Sequence, residues 1–165
     1  MKRINEIKTL SNFQQIILVI IRIMIGWQLL YEGFVKVMDP NWSSAGFLNG
    51  TTGFMSGFFG WISSNPRILS VVDILNEWGL FLIGLCLILG LFSKVSSLLG
   101  AILLFLYYIG NPPLPGLDFS MSIEGGNSLI INRTLIESVT LLFLYVFPTG
   151  YIAGLDMLCL FRKKD

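Results

Sequence analysis

Apolar residues along this chain gather into four long runs, and each run approaches the ~20 residues needed to cross a bilayer core. Helices are predicted over about 13–36, 66–92, 94–110 and 129–147. The third run is the shortest, and Ser96 and Ser97 extend it. Within the first run, Arg22, Gly26, Leu29, Gly33 and Lys36 recur at helical 3,4 spacing, so they share one face. The two glycines on that face allow a second helix to come close. Asn65 and Pro66 suit the start of the second helix, as N-cap and first helical residue.

The segment 37–64 is long but not polar, being rich in Gly, Phe and Trp. It is expected to lie on the membrane surface, or to fold over the bundle mouth as short amphipathic helices. Residues 111–127 contain NPPLPG and EGG and are expected to form an irregular lid. The expected fold is therefore all-α: one integral membrane four-helix bundle spanning residues 1–165, with an amphipathic outer loop between helices one and two.

Composition agrees. The hydrophobic share is 54% and the charged share 13%, against about 25% charged in soluble domains. Mean hydropathy is +0.75. A disordered chain, a basic nucleic-acid binder and an ordinary soluble enzyme are excluded. The net charge of +1 selects no partner. Lys2, Arg3, Lys8, Lys94, Arg162, Lys163 and Lys164 fall on one side of the four runs, with Lys36 and Arg67 on the other. By the positive-inside rule, both termini are expected to be cytoplasmic. The first run contains Arg22 and is followed by no small-residue cleavage site, so it reads as a retained helix rather than a signal peptide.

Two absences limit the chemistry. The chain has no histidine, the commonest metal ligand and general base. Cys86 and Cys159 share no metal-ligand spacing, so no metal site is expected and both read as structural.

Ionisable residues inside membrane helices are costly, about 2.5–3.5 kcal/mol at the helix centre on insertion scales, and are default functional candidates. Here they are Arg22, Glu32, Lys36, Glu77, Arg133 and Glu137, accompanied by Asn76 and Asn132. Helix direction brings Glu32, Lys36, Glu77, Arg133 and Glu137 together in the outer half of the bundle. Arg22 lies ten residues before Glu32, hence ~15 Å deeper. Glu32–Lys36 and Arg133–Glu137 are i,i+4 pairs. The five outer charges sum to −1, as a self-paired network would. A purely structural role, in which these groups fix helix packing, is the competing reading. Trp42, Trp61, Trp78, Tyr107 and Tyr108 read as an interfacial aromatic belt, and Trp27 as packing.

The first helix, RIMIGWQLLYEGFVKVMDPNW, and the second, EWGLFLIGLCLILGLFSK, resemble the DoxX family of small four-helix membrane proteins. The segments MDPNWSSAGFL and NRTLIE resemble its DoxD-like branch, which includes the large subunit of thiosulfate:quinone oxidoreductase. The resemblance covers about residues 15–150. It implies a bacterial or archaeal cytoplasmic-membrane component tied to the quinone pool, with a quinone as co-substrate and no covalently bound cofactor. It also implies a DoxA-like partner subunit, expected as a separate chain since this one ends at Asp165. In that setting Glu77 and Glu137 would carry protons as the catalytic carboxylates. Arg22, Glu32, Lys36, Asn76, Asn132 and Arg133 would line the substrate or quinone site, the cations holding an anion such as thiosulfate. The alternative function is a non-enzymatic membrane module that scaffolds a complex, or that binds or moves a lipid or small anion.

Overall fold

The structure is a computed structural model that describes residues 11–51, 55–111 and 131–157. Its elements are α1 (Asn12–Met38), α2 (Ala45–Asn49), α3 (Ser56–Ser64), α4 (Pro66–Leu89), α5 (Ser93–Gly110), α6 (Arg133–Val146) and a 3-10 turn (Thr149–Tyr151). The described residues are helical, with no strand segment among them. The predicted lid at 111–127 and Cys159 lie outside the described residues, apart from Asn111.

Helix α1 begins at a capping box. The Gln14 amide donates to Ser11 Oγ, and the Ser11 amide donates to Gln14 Oε1 at 2.9 Å. Its buried residues are Leu18, Arg22, Gly26, Leu29 and Gly33, the stripe that its sequence spacing predicts. This stripe packs on α4, its principal partner. A methyl group added at Gly33 would collide with the backbone of Phe81, and one at Gly84 with the backbone of Leu30. The two helices thus approach to backbone contact, with glycines contributed by both.

Helix α5 pairs chiefly with α6. Ser138 Oγ donates to the Ala101 carbonyl at 2.9 Å across that interface. Leu29, Leu80, Leu87, Ala101, Leu104, Leu141 and Leu144 join the four helices in one core. The hydroxyls of Ser96 and Ser97 are satisfied by carbonyls four residues back, at Phe92 and Ser93.

The outward faces are strongly apolar. Ile20, Met24 and Tyr31 on α1, Ile74, Leu75 and Leu82 on α4, Ile102 and Phe105 on α5, and Val139 and Phe143 on α6 are all exposed, while arginine, asparagine and serines are buried. That inversion suits lipid as the surrounding medium. Trp27, expected to pack inside, is 63% exposed on this outer face.

Three helices, α1, α4 and α5, are long and apolar enough to cross a membrane. The fourth predicted span is shorter than expected. It starts late because Asn132 caps it, accepting from the Leu135 amide at 2.9 Å. It stops at Val146, ahead of Phe147–Pro148, where the residue before proline is pushed out of the helical region. Its 14 residues extend ~21 Å, against a hydrocarbon core of ~30 Å. Helix α4 likewise ends at Leu89 rather than 92. Gly90 takes the left-handed conformation (φ 64°), and the Gly90 and Leu91 amides close a Schellman pattern on Leu87 and Cys86.

The loop between α1 and α4 does fold into short helices. Leu48, Phe59 and Ile62 form a small core of their own against Phe47, Met55, Ile68, Leu69 and Val72. Asp73 of α4 fastens this cap, accepting from Ser43 Oγ at 2.9 Å, from the Ser44 amide at 2.8 Å and from Ser44 Oγ at 2.5 Å. Asn65 and Pro66 start α4 as predicted, although the Asn65 side chain donates to the Trp61 carbonyl instead of capping.

Candidate functional site

The buried polar groups divide between the two ends of the bundle. The loop end lies under α2 and α3, and the turn end surrounds Gly90–Phe92.

At the loop end Lys36 occupies the last turn of α1. Its ammonium donates to Asn76 Oδ1 at 2.9 Å. It also stands 4.8 Å from the ring centre of Trp42 and 5.5 Å from that of Tyr107, both within cation–π range. No ion pair joins Lys36 to Glu32 among the described residues, so this predicted i,i+4 pair is replaced by an amide and two aromatic faces. Glu32 and Glu77 remain within electrostatic reach of Lys36, and both are half-buried. Asn76 is buried, held between the lysine of α1 and the body of α4.

Tyr107 belongs to this site and not to the aromatic belt. Phe47 meets its ring edge-on at 5.5 Å. Its hydroxyl is buried, and its nearest polar partner is the Asn76 side chain, with which it interacts. Trp61 and Trp78 are exposed, as belt residues are.

Glu137 continues the site on α6. Its Oε1 accepts from Arg133 Nε at 2.7 Å and from Gln28 Nε2 at 2.7 Å. The Arg133–Glu137 pair is the predicted one, but the arginine side chain is 61% exposed and the glutamate 14%. Glu32 sits between this pair and Lys36, beside Gln28. Five predicted charges, Glu32, Lys36, Glu77, Arg133 and Glu137, therefore do converge, with Asn76 among them. Asn132 caps α6 close by.

Arg22 is held apart, at the turn end. It is 2% exposed. Its guanidinium donates to Thr149 Oγ1 at 3.1 Å and to the Ala153 carbonyl at 2.5 Å, and packs on Gly90. Asp156 lies within electrostatic reach and caps α5. It accepts from the Phe92 amide at 2.7 Å, the Ser93 amide at 2.9 Å and Ser93 Oγ at 2.6 Å. The Leu155 and Asp156 amides bond the Leu89 and Gly90 carbonyls, sealing the segment after α6 onto the turn.

Gln28, Trp42, Asp73, Tyr107, Thr149 and Asp156 escaped the sequence reading as site or network members. Gln28 had a usable signal: Gln28, Glu32 and Lys36 fall at i, i+4 and i+8 on one face. Tyr107, Thr149 and Asp156 come from elements remote in sequence from their partners. No group of three or more Cys, Asp and Glu side chains gathers as metal ligands among the described residues.

Apolar outward faces, spanning helices and an enclosed polar cluster define a small helical membrane protein with a candidate binding site under a folded loop. A model of the DoxX family matches residues 17–109. That is more than half of the chain and takes in α1 to α5 with the Lys36–Asn76–Tyr107 cluster; the chain belongs to the DoxX family. No curated protein and no solved structure matches it.

Proposed function

We propose that this chain is the quinone-facing membrane subunit of a redox complex in a bacterial or archaeal cytoplasmic membrane. Both termini face the cytoplasm, and a DoxA-like partner oxidises thiosulfate, as in the DoxD-like branch. The observation that carries the reading is Lys36, bonded to Asn76 between the faces of Trp42 and Tyr107, with Glu32 and Glu77 alongside. These residues fit a quinone. The Lys36 ammonium and the Asn76 amide are donors that suit carbonyl acceptors, and the Trp42 and Tyr107 rings line the same place.

A bound quinone supplies an acceptor for electrons and protons. Lys36 and Asn76 orient its carbonyl edge. Glu77 or Glu137 relays the proton that reduction of the ring consumes, an acid–base role open to carboxylates in a chain without histidine. Gln28 and Arg133 keep Glu137 placed for that task. The folded cap of α2 and α3, fastened by Asp73, covers this end of α4.

Membranes containing this chain and a DoxA-like partner, given thiosulfate and a quinone analogue, are expected to reduce the quinone. Absence of reduction with the partner present removes the reading. A second reading, a non-enzymatic docking module, is favoured by the exposed, stacked Phe58 and Trp61 on the cap. A stoichiometric partner copurifying without redox turnover would select it.

A further inference from the structure

We propose that a groove beside the turn end binds one acyl chain of an anionic phospholipid, with the headgroup held near the start of α1. This goes beyond the quinone-linked reading and uses none of its residues.

The groove arises from a mismatch in helix length. Gly90, just past the end of α4, packs on the Arg22 guanidinium, so α4 ends beside Arg22. Helix α1 starts ten residues earlier, at Asn12, and so runs ~15 Å past the turn. Over that stretch Leu18 alone is buried. The segment after α6 folds back towards it, leaving a groove of about 440 Å³, within the ~300–1,000 Å³ typical of ligand sites. Ile16, Val19 and Ile20 line it from α1, and Ile152 and Ala153 from the returning segment.

Two observations select the occupant. The first is polarity. Asn12 and Gln15 line the groove at the start of α1, and the lining side chains beyond them are apolar. A lipid has the same profile, a polar head followed by hydrocarbon, and Asn12 to Ile20 extend ~12 Å along the helix. The second is charge. The described residues end here on both sides, at Ser11 before Asn12 and at Met157, whose amide bonds the carbonyl of Gly154 beside Ala153. In the sequence, residues 1–10 and 158–165 carry Lys2, Arg3, Lys8, Arg162, Lys163 and Lys164 against Glu6 and Asp165, a net +4 in a chain whose total is +1. Covalent connectivity alone keeps Lys8 within ~11 Å of Ser11 and Arg162 within ~18 Å of Met157. Such a basic flank attracts an anionic headgroup, whereas a zwitterionic one offers it no net charge. The Ala153 carbonyl also accepts from Arg22. A chain packed on Ile152 and Ala153 steadies that acceptor, so lipid binding strengthens the turn end.

The test uses the full chain reconstituted with equal amounts of palmitoyl-oleoyl phosphatidylglycerol and the phosphatidylcholine of the same chains. Native mass spectrometry after detergent extraction is expected to find phosphatidylglycerol retained roughly tenfold over phosphatidylcholine. Ile20→Trp, at a half-exposed position, fills the groove with an indole and is expected to remove that preference. Ile16→Trp, one turn earlier and also exposed, is expected to do the same. In nanodiscs, phosphatidylglycerol should raise the unfolding temperature of the wild-type chain above its value in phosphatidylcholine. The rise should shrink in about 1 M sodium chloride, where the Debye length is ~3 Å. Both tryptophan variants should melt in phosphatidylcholine as the wild type does and gain nothing from phosphatidylglycerol. Equal retention of the two lipids, retention of neither, an undiminished preference in both variants, or a rise that survives salt would each overturn the inference.

Discussion

Asp156 offers a sharp energetic test of how the turn end is held. Replacing it by alanine removes the acceptor for the Phe92 amide, the Ser93 amide and Ser93 Oγ, at 2.7, 2.9 and 2.6 Å. Asp156 and Ser93 are both buried, so the orphaned donors are not freely hydrated. Loss of an N-cap costs ~1 kcal/mol and up to ~2. Hydrogen bonds to a charged acceptor contribute about 1.5–3 kcal/mol each, though not additively. The substitution also removes the carboxylate nearest Arg22 in electrostatic terms, leaving a buried guanidinium less compensated. Phe92 sits at φ 46°, a conformation costing a side-chain-bearing residue about 1–2 kcal/mol, and its amide bond to Asp156 helps hold it there. Together these give an expected destabilisation of about 3–5 kcal/mol for Asp156→Ala. Asp156→Asn keeps an acceptor oxygen and should cost about 1–2 kcal/mol. Thermal unfolding in nanodiscs, followed by tryptophan fluorescence, ranks the variants, and hydrogen exchange over residues 92–97 localises the effect. Unchanged melting together with unchanged exchange in Asp156→Ala would refute the capping argument.

Close helix approach predicts that Gly33→Ala or Gly84→Ala destabilises by about 1–3 kcal/mol through overpacking, whereas Gly79→Ala, with open space around it, should be neutral or slightly stabilising in the same melts. Arg133→Leu should cost only about 0.3–0.5 kcal/mol, because the arginine is largely exposed and Glu137 keeps its bond from Gln28; a loss of several kcal/mol in unfolding experiments would contradict this. Lys36→Met keeps the aliphatic stem but leaves Glu32 and Glu77 without their shared cation, and is expected to abolish partner-dependent quinone reduction in membranes; full activity in this variant would remove Lys36 from the site.

Much of the bundle was legible because lipid imposes a simple rule on sequence. Apolar runs mark the helices, and the stripe of Arg22, Gly26, Leu29 and Gly33 marks the face that packs inward. The start of α4 at Asn65–Pro66 could be read from local backbone preferences alone. The ends of helices were harder. Asn132 was expected inside a helix beginning at about 129, whereas it caps a helix that begins four residues later, at Arg133. Gly90 ends α4 although the apolar run continues through Leu91 and Phe92, since hydropathy does not register a left-handed turn. The convergence of the outer charges followed from helix direction and the rise per residue. Their partners did not: the i,i+4 spacing of Glu32 and Lys36 pointed to an ion pair. That spacing cannot show that Asn76, 40 residues away, and two aromatic rings would take the ammonium instead. Tyr107 and Asp156 were illegible for the same reason, because each acts on an element to which it is not adjacent in sequence.

Comparing the ends of the bundle locates the candidate site more firmly than any single residue does. Both ends place a cation in a low-dielectric interior, which is expensive. At the turn end the cost is offset by groups that lock the fold. Arg22 binds Thr149 and Ala153, Asp156 caps α5, and two further backbone bonds close the seam. The Nε of Arg22 is nonetheless buried there without a hydrogen-bond partner. At the loop end Asn76, Lys36 and Tyr107 come from three helices, and the buried Tyr107 hydroxyl interacts with Asn76. The turn end therefore reads as the clasp of the bundle, and the loop end is the site that we propose for the quinone.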